Sequence, residues 1–326
     1  SVPLARYYDN NNNILPTPLK ARQMGSVWRA DKPQKGRFRQ FTQCDIDIIG
    51  DGSIMAEIEL IAATSKMLTR IFSEVGIREF TVHINDRRIL KAMAASAGFT
   101  PEQYDDVFII LDKMDKIGLE GVKESLLKKE YDPEAVESYI GLLNQITPGI
   151  KCGEFCGRIG GEYLDGRVAS NMDAIMDSVS CMIDPSVRLE FDPTLVRGMS
   201  YYTGTIFEIS IDGYNFSIAG GGRYDEMIGR FSTQQGPACG FSIGFERIFT
   251  ILKDLNWTDE GNRKERRAFL VDERVEPGKL LEVFKLATAM REQGMIVTVQ
   301  PLKKNAKFQV ETLEKCGYRE IRKVYS

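Results

Sequence analysis

The stretch from Val27 to Asp47 (Val-Trp-Arg-Ala-Asp-Lys-Pro-Gln-Lys-Gly-Arg-Phe-Arg-Gln-Phe-Thr-Gln-Cys-Asp-Ile-Asp) limits what this chain can fold into more than any other. It reads as two strands joined by a basic loop. The first strand is apolar and ends at Arg29, and Pro33 and Gly36 then force a turn. The second strand is expected over 38–49. Side chains alternate along a strand, so Arg39, Phe41, Gln43, Asp45 and Asp47 are expected on one face. Arginine grips phosphate as a planar fork and a phenylalanine ring can stack a base. The stretch is therefore either a nucleotide pocket or a charged surface hairpin, and spacing alone leaves both open.

A chain of 326 residues is long enough for two domains with cores of their own. It contains no run of 18 apolar residues, so no membrane span is expected. Its opening, Ser1-Val2-Pro3-Leu4-Ala5-Arg6-Tyr7, lacks the basic and apolar regions of a signal peptide and does not begin with Met. The six cysteines are scattered, with only Cys152 and Cys156 close together, and the single histidine is His83. That supply cannot furnish a zinc site, so free thiols in a cytoplasmic protein are expected, with no metal ligands. A Ser-His-Asp hydrolase would have to use His83. That residue lies in an alternating apolar strand and reads as structural.

The net charge of −3 is unevenly spread: residues 261–326 carry 15 Lys and Arg against 9 Asp and Glu. A basic C-terminal piece on an acidic body fits either local contact with a polyanion or simply lysine-rich helix faces.

Taken in order, Asn10 to Asn13 read as a loop. Ser53 can cap a long helix that Gly76 ends. A strand over 78–84 and a helix over 87–97 follow. Residues 99–186 are mostly helical, with Thr100-Pro101 and Asp132-Pro133 as helix starts and Ile109, Ile110, Met114 and Ile117 at helical spacing. Strands return at 187–191. A hairpin is expected between 206–211 and 214–218, turning at Asp212-Gly213, with Gly220-Gly221-Gly222 beyond it for close backbone approach. Residues 238–247 lead into a helix through Leu252. This pattern predicts an α+β fold, an antiparallel sheet flanked by helices. Residues 256–266 read as a linker, and 267–326 alternate strand and helix as a small α/β domain.

Together these motifs resemble the histidine–tRNA ligases, which are class II aminoacyl-tRNA synthetases. The hairpin is similar to class II motif 2, residues 195–202 and 220–225 to the two histidine-specific segments, and 240–247 to motif 3. The resemblance implies a catalytic domain over 1–98 and 187–255, a helical insertion over 99–186 and an anticodon-binding domain over 267–326. It implies ATP, with Mg2+, as substrate, alongside L-histidine and tRNA(His), and a homodimer. By the same resemblance Arg29, Arg37, Phe41, Asp31, Gly244 and Arg247 would serve ATP. Gln43, Asp47, Arg197, Tyr201 and Tyr202 would serve histidine, with Arg197 and Arg29 catalytic. Asp47 and Tyr202 occupy the positions that hold the imidazole.

The chain departs from the family pattern at Asp31, where Glu is usual, and at Ser200, where Asp is usual. Motif 1 and the acidic residue expected on the α-amino group have no counterpart before Ser1, and the C-terminal domain stops early. A fragment that binds histidine poorly is the resulting expectation. The alternative is the related regulatory subunit of ATP phosphoribosyltransferase, a histidine sensor that generally lacks the motif 2 and motif 3 arginines and the α/β tail.

Overall fold

The computed structural model describes residues 2–30, 32–197, 201–230, 236–257 and 264–326. Asp31 and Ser200, two of the departures noted above, lie outside the described residues. The chain divides into two compact units, Ser1–Asn256 and Trp257–Ser326.

The first unit opens with α1 (Val2–Asn11), β1 (Leu19–Trp28), β2 (Gln40–Ile49), α2 (Met55–Ser73), β3 (Thr81–Asp86) and α3 (Arg87–Ala97). Next come α4 (Tyr104–Leu111), α5 (Met114–Leu127), α6 (Pro133–Leu143), α7 (Cys152–Ile159) and α8 (Gly166–Ser180). It closes with β4 (Arg188–Phe191), β5 (Thr205–Ser210), β6 (Ala219–Arg223), α9 (Glu226–Gly229), β7 (Ala238–Gly244) and α10 (Phe245–Asp254). The strands form one sheet in the order β1-β2-β7-β6-β5-β3-β4. Neighbours are antiparallel except the parallel pair β3 and β4.

Local chemistry sets many of the boundaries. The Asp86 carboxylate accepts the Arg88 N–H and starts α3, and Gly98 ends it at φ +103°, where a side chain would be strained. Asp132 caps α6 in the same way, with Pro133 in its first turn. Helices from 99–186 share one hydrophobic core with the sheet: Phe108, Val136, Phe155 and Ile175 belong to the cluster that holds Ile61, Phe72, Phe207 and Phe241. His83 ties β3 to its neighbours, with Nε2 2.8 Å from Ser210 Oγ and Nδ1 3.5 Å from Asp192.

Several expectations need correction. Asn10 and Asn11 lie in α1, because packing of Leu4 and Ala5 against Tyr224, Met227 and Ile228 outweighs their turn preference. The run after Thr100 is not one helix. It breaks between α4 and α5, and Gly118 at φ +68° kinks α5, leaving Ile109 and Ile117 exposed. The partner of β5 is not 214–218 but the glycine run of β6, with Ile206 opposite Gly222 and Ile209 opposite Ala219. The connection is accordingly wider than a two-residue turn.

The second unit contains β8 (Arg266–Val271), α11 (Pro277–Glu292), β9 (Ile296–Pro301), α12 (Ala306–Lys315) and β10 (Glu320–Val324). Its three strands are parallel in the order β10-β8-β9, as alternation of strand and helix predicts. Apolar side chains cover both faces: Val283 and Ala287 of α11 pack on one cluster, and Leu313 of α12 on the other.

Candidate active site

One face of the first unit's sheet carries a cavity of about 350 Å³ over β2, β7 and β6. The alternation expected for β2 holds: Phe41, Gln43, Asp45 and Asp47 line this cavity, while Cys44, Ile46 and Ile48 join the core behind. Arg39 does not line it. It precedes the strand, and its carbonyl accepts the Arg29 N–H at 2.8 Å.

Four arginines converge at one end: Arg29, Arg37, Arg197 and Arg247. The Arg29 guanidinium lies 3.8 Å from the centre of the Phe41 ring, a cation–π contact. Arg197 donates Nε–H to the Glu208 carboxylate, and its Nη2 stands 3.4 Å from Ser217 Oγ. Arg247 donates to the Gly36 carbonyl at 3.0 Å and to the Ser217 carbonyl at 2.6 Å. Burial, then the charges of Arg197, Arg29 and Arg37, pull the Arg247 pKa below the ordinary arginine value, with Glu208 opposing. Such a concentration of positive charge favours an anionic ligand.

The floor is made of glycine. A Cβ built at Gly220 would stand 1.8 Å from Arg197 Nη1, and one at Gly240 would stand 2.1 Å from Asp47 Oδ1. Any side chain at these positions would push the functional groups off the sheet. Gly244, the last residue of β7, also lines the cavity and donates its N–H to the Ile218 carbonyl.

The other end is acidic. Asp47 is buried, and its Oδ1 accepts the Tyr224 hydroxyl at 2.5 Å while Oδ2 faces Gln23 Nε2 at 3.2 Å. Burial raises its pKa above the ordinary aspartate value, Asp45 adds to the rise, and the hydrogen bonds from Tyr224 and Gln23 oppose it. Tyr201 and Tyr202 lie alongside with ring centres 4.3 Å apart. Burial, then Tyr201, raises the Tyr202 pKa, so its hydroxyl keeps its proton at neutral pH.

A family model described as Histidyl-tRNA synthetase matches residues 1–248. The chain belongs to the histidyl-tRNA synthetase family. It is 37% identical over 327 residues to a histidine–tRNA ligase of Leifsonia xyli subsp. xyli, covering 98% of this chain and 73% of that protein. It is 38% identical over 331 residues to a probable histidine–tRNA ligase of Tropheryma whipplei (strain Twist), again covering 98% and 73%. A histidyl-tRNA synthetase from Nostoc sp. PCC 7120 superposes with a TM-score of 0.76 at 26% identity, covering 97% of this chain and 73% of that one. A Bacillus halodurans protein titled "ATP phosphoribosyltransferase regulatory subunit/histidyl-tRNA synthetase" superposes at 0.75 with 23% identity, covering 99% and 78%, and shows the fold alone.

The fold thus gathers into one cavity every site residue that the family resemblance points to except Asp31, which lies outside the described residues. Four further groups emerge only in three dimensions. Tyr224, from the Gly-Gly-Gly-Arg-Tyr-Asp segment, gives Asp47 its hydroxyl. Glu208 and Ser217 hold the arginines, and Glu246 accepts the Thr42 N–H at 2.5 Å at the edge of β2. The hydroxyl position in a glycine-rich motif was the available signal for Tyr224. Glu208 and Ser217 carry no signal in linear sequence.

Proposed function

We propose that the protein joins L-histidine to ATP as histidyl-adenylate and transfers the histidyl group to the 3′ end of tRNA(His). The observation that carries this reading is a single cavity with four arginines at one end and a buried, tyrosine-bonded carboxylate at the other. In the first step a histidine carboxylate oxygen attacks the ATP α-phosphorus and pyrophosphate leaves. Two anions must meet, so cations fixed between them stabilise the transition state. Arg197 and Arg29 take the α-phosphate, with Arg197 also on the carboxylate, and Arg247 and Arg37 take the outer phosphates. ATP enters as its Mg2+ complex, with adenine against Phe41 beside Gly244, and by the family resemblance Asp31 serves the adenine amino group. At the acidic end Asp47 accepts an imidazole N–H, Tyr202 and Tyr224 position hydroxyls around the ring, Gln43 takes the α-amino group and Tyr201 walls the pocket. A substrate lacking the ring nitrogen would leave buried polar groups unpaired, a discrimination of about 10⁴ or more.

In the second step the terminal ribose hydroxyl of tRNA attacks the histidyl carbonyl and AMP leaves. The 99–186 helices form the family's insertion, and the α/β unit reads the anticodon. The reading carries with it a cytoplasmic homodimer. The regulatory-subunit alternative is disfavoured because the motif 2 and motif 3 arginines converge on the cavity and the α/β unit is present.

Histidine-dependent exchange of labelled pyrophosphate into ATP is the direct test, and its complete absence would end the proposal. Arg197→Ala is expected to slow exchange by about 10² or more, the scale for losing one transition-state donor. A rate near the parent's would remove Arg197 from that role.

A further inference from the structure

Asp45 stands between Gln43 and Asp47 on the cavity face of β2 and is 6% exposed. Its Oδ2 accepts the Gln43 amide at 2.7 Å. Its Oδ1 is buried and has no hydrogen-bond partner among the described residues. A carboxylate oxygen withdrawn from water and left unpaired is costly, and proteins keep such atoms where a ligand completes them. Its neighbours across the sheet, Gln23 on β1 and Ser242 on β7, carry no charge.

We infer that Asp45 accepts the α-ammonium group of the bound amino acid through Oδ1, so that the cavity reads a zwitterion with Asp45 at its cationic end and Arg197 at its anionic end. This rests on the histidine reading of the site. Asp45 and Asp47 lie two residues apart on one strand, about 6.6 Å at the usual rise. That span is comparable with the one between the α-nitrogen and the far ring nitrogen of histidine. The two carboxylates therefore divide the work: Asp47, already held by Tyr224, meets the ring, and Asp45 meets the amine. Gln43 serves both as an amine ligand and as the donor that fixes the Asp45 carboxylate.

The test is calorimetric titration of L-histidine and of its deamino analogue, 3-(imidazol-4-yl)propanoate, into the parent protein and Asp45→Asn. Asparagine still accepts from Gln43 and keeps the shape, losing only the charge. Histidine should bind the variant about tenfold or more weakly, the scale for removing a charge-assisted bond to a buried ammonium. The deamino analogue should bind the variant at least as tightly as the parent, which also shows that the pocket is intact. Histidine affinity within about twofold of the parent, or an equal loss for both compounds, would overturn the assignment and leave Asp45 as a prop for Gln43. Failure of the parent itself to take up histidine, with ATP still binding, would instead bring down the histidine reading, and this inference with it.

Discussion

The two faces of the first unit's sheet use arginine in opposite ways. On the helix-covered face Arg223 is buried and saturated: it donates to both Glu57 oxygens at 2.7 and 2.6 Å, to the Asp51 and Ser53 carbonyls, and to Asp225. On the cavity face, Arg247 is held by two carbonyls and a hydroxyl, and the three arginines around it lower its pKa after burial does. Within this cluster Glu208 pairs with Arg197. A guanidinium surrounded by carboxylates has spent its charge on the fold. One fixed by carbonyls keeps its charge for a ligand.

The largest expected effect tests the saturated side. Arg223→Ala leaves the buried Glu57 carboxylate without its cation, and breaking such a pair costs about 3–5 kcal/mol. Urea unfolding should show that loss. Arg247→Ala, which relieves like-charge crowding, should cost far less stability while impairing ATP use. If both variants lost similar stability, the contrast between the faces would collapse.

Adjacent glycines of β6 sharpen the same contrast at smaller amplitude. A Cβ at Gly221 would meet the Gly240 carbonyl at 2.0 Å and the Phe207 ring at 2.6 Å, so backbone or packed core must shift. Gly221→Ala is expected to cost about 1–3 kcal/mol or more of stability. The atoms nearest a Cβ at Gly220 are instead those of the Arg197 guanidinium, the far end of a long side chain. Gly220→Ala should change stability by less than about 1 kcal/mol while slowing pyrophosphate exchange about tenfold or more through misplacement of Arg197. Melting curves and exchange rates on the same two preparations separate the outcomes.

What was legible in the sequence follows from the range of the forces involved. The β2 alternation is local, with a period of two, and placed Phe41, Gln43, Asp45 and Asp47 on one face correctly. The Asp132-Pro133 helix start is equally local. The β6 strand was missed because glycine normally weakens strands. Here β7 lies too close for any side chain at Gly221, a contact made with residues about twenty positions away. Tyr224 on Asp47 and Glu208 on Arg197 are likewise set by sheet order, which brings β2, β7, β6 and β5 side by side. The cavity's charges could be named from motifs, but which carboxylate meets which partner depended on that order.

The smallest expected effect lies at the acidic end and is read as a slope. Burial raises the pKa of Asp47 in the folded protein above the ordinary aspartate value of 3.8. The folded state therefore holds this proton to higher pH than the unfolded chain does. Asp47's contribution to stability is greatest at acid pH, declines as pH rises from 3.8 to its own elevated value, and is constant above that. Asp47→Asn removes the titrating group, so the variant should lack this part of the decline and gain relative to the parent as pH rises through the window. Urea unfolding of both proteins across mildly acidic pH, without ligand, measures the difference. Parallel curves would mean that the Tyr224 and Gln23 hydrogen bonds fully offset the burial of Asp47, and that the acidic end, like Arg223, is already satisfied before any ligand arrives.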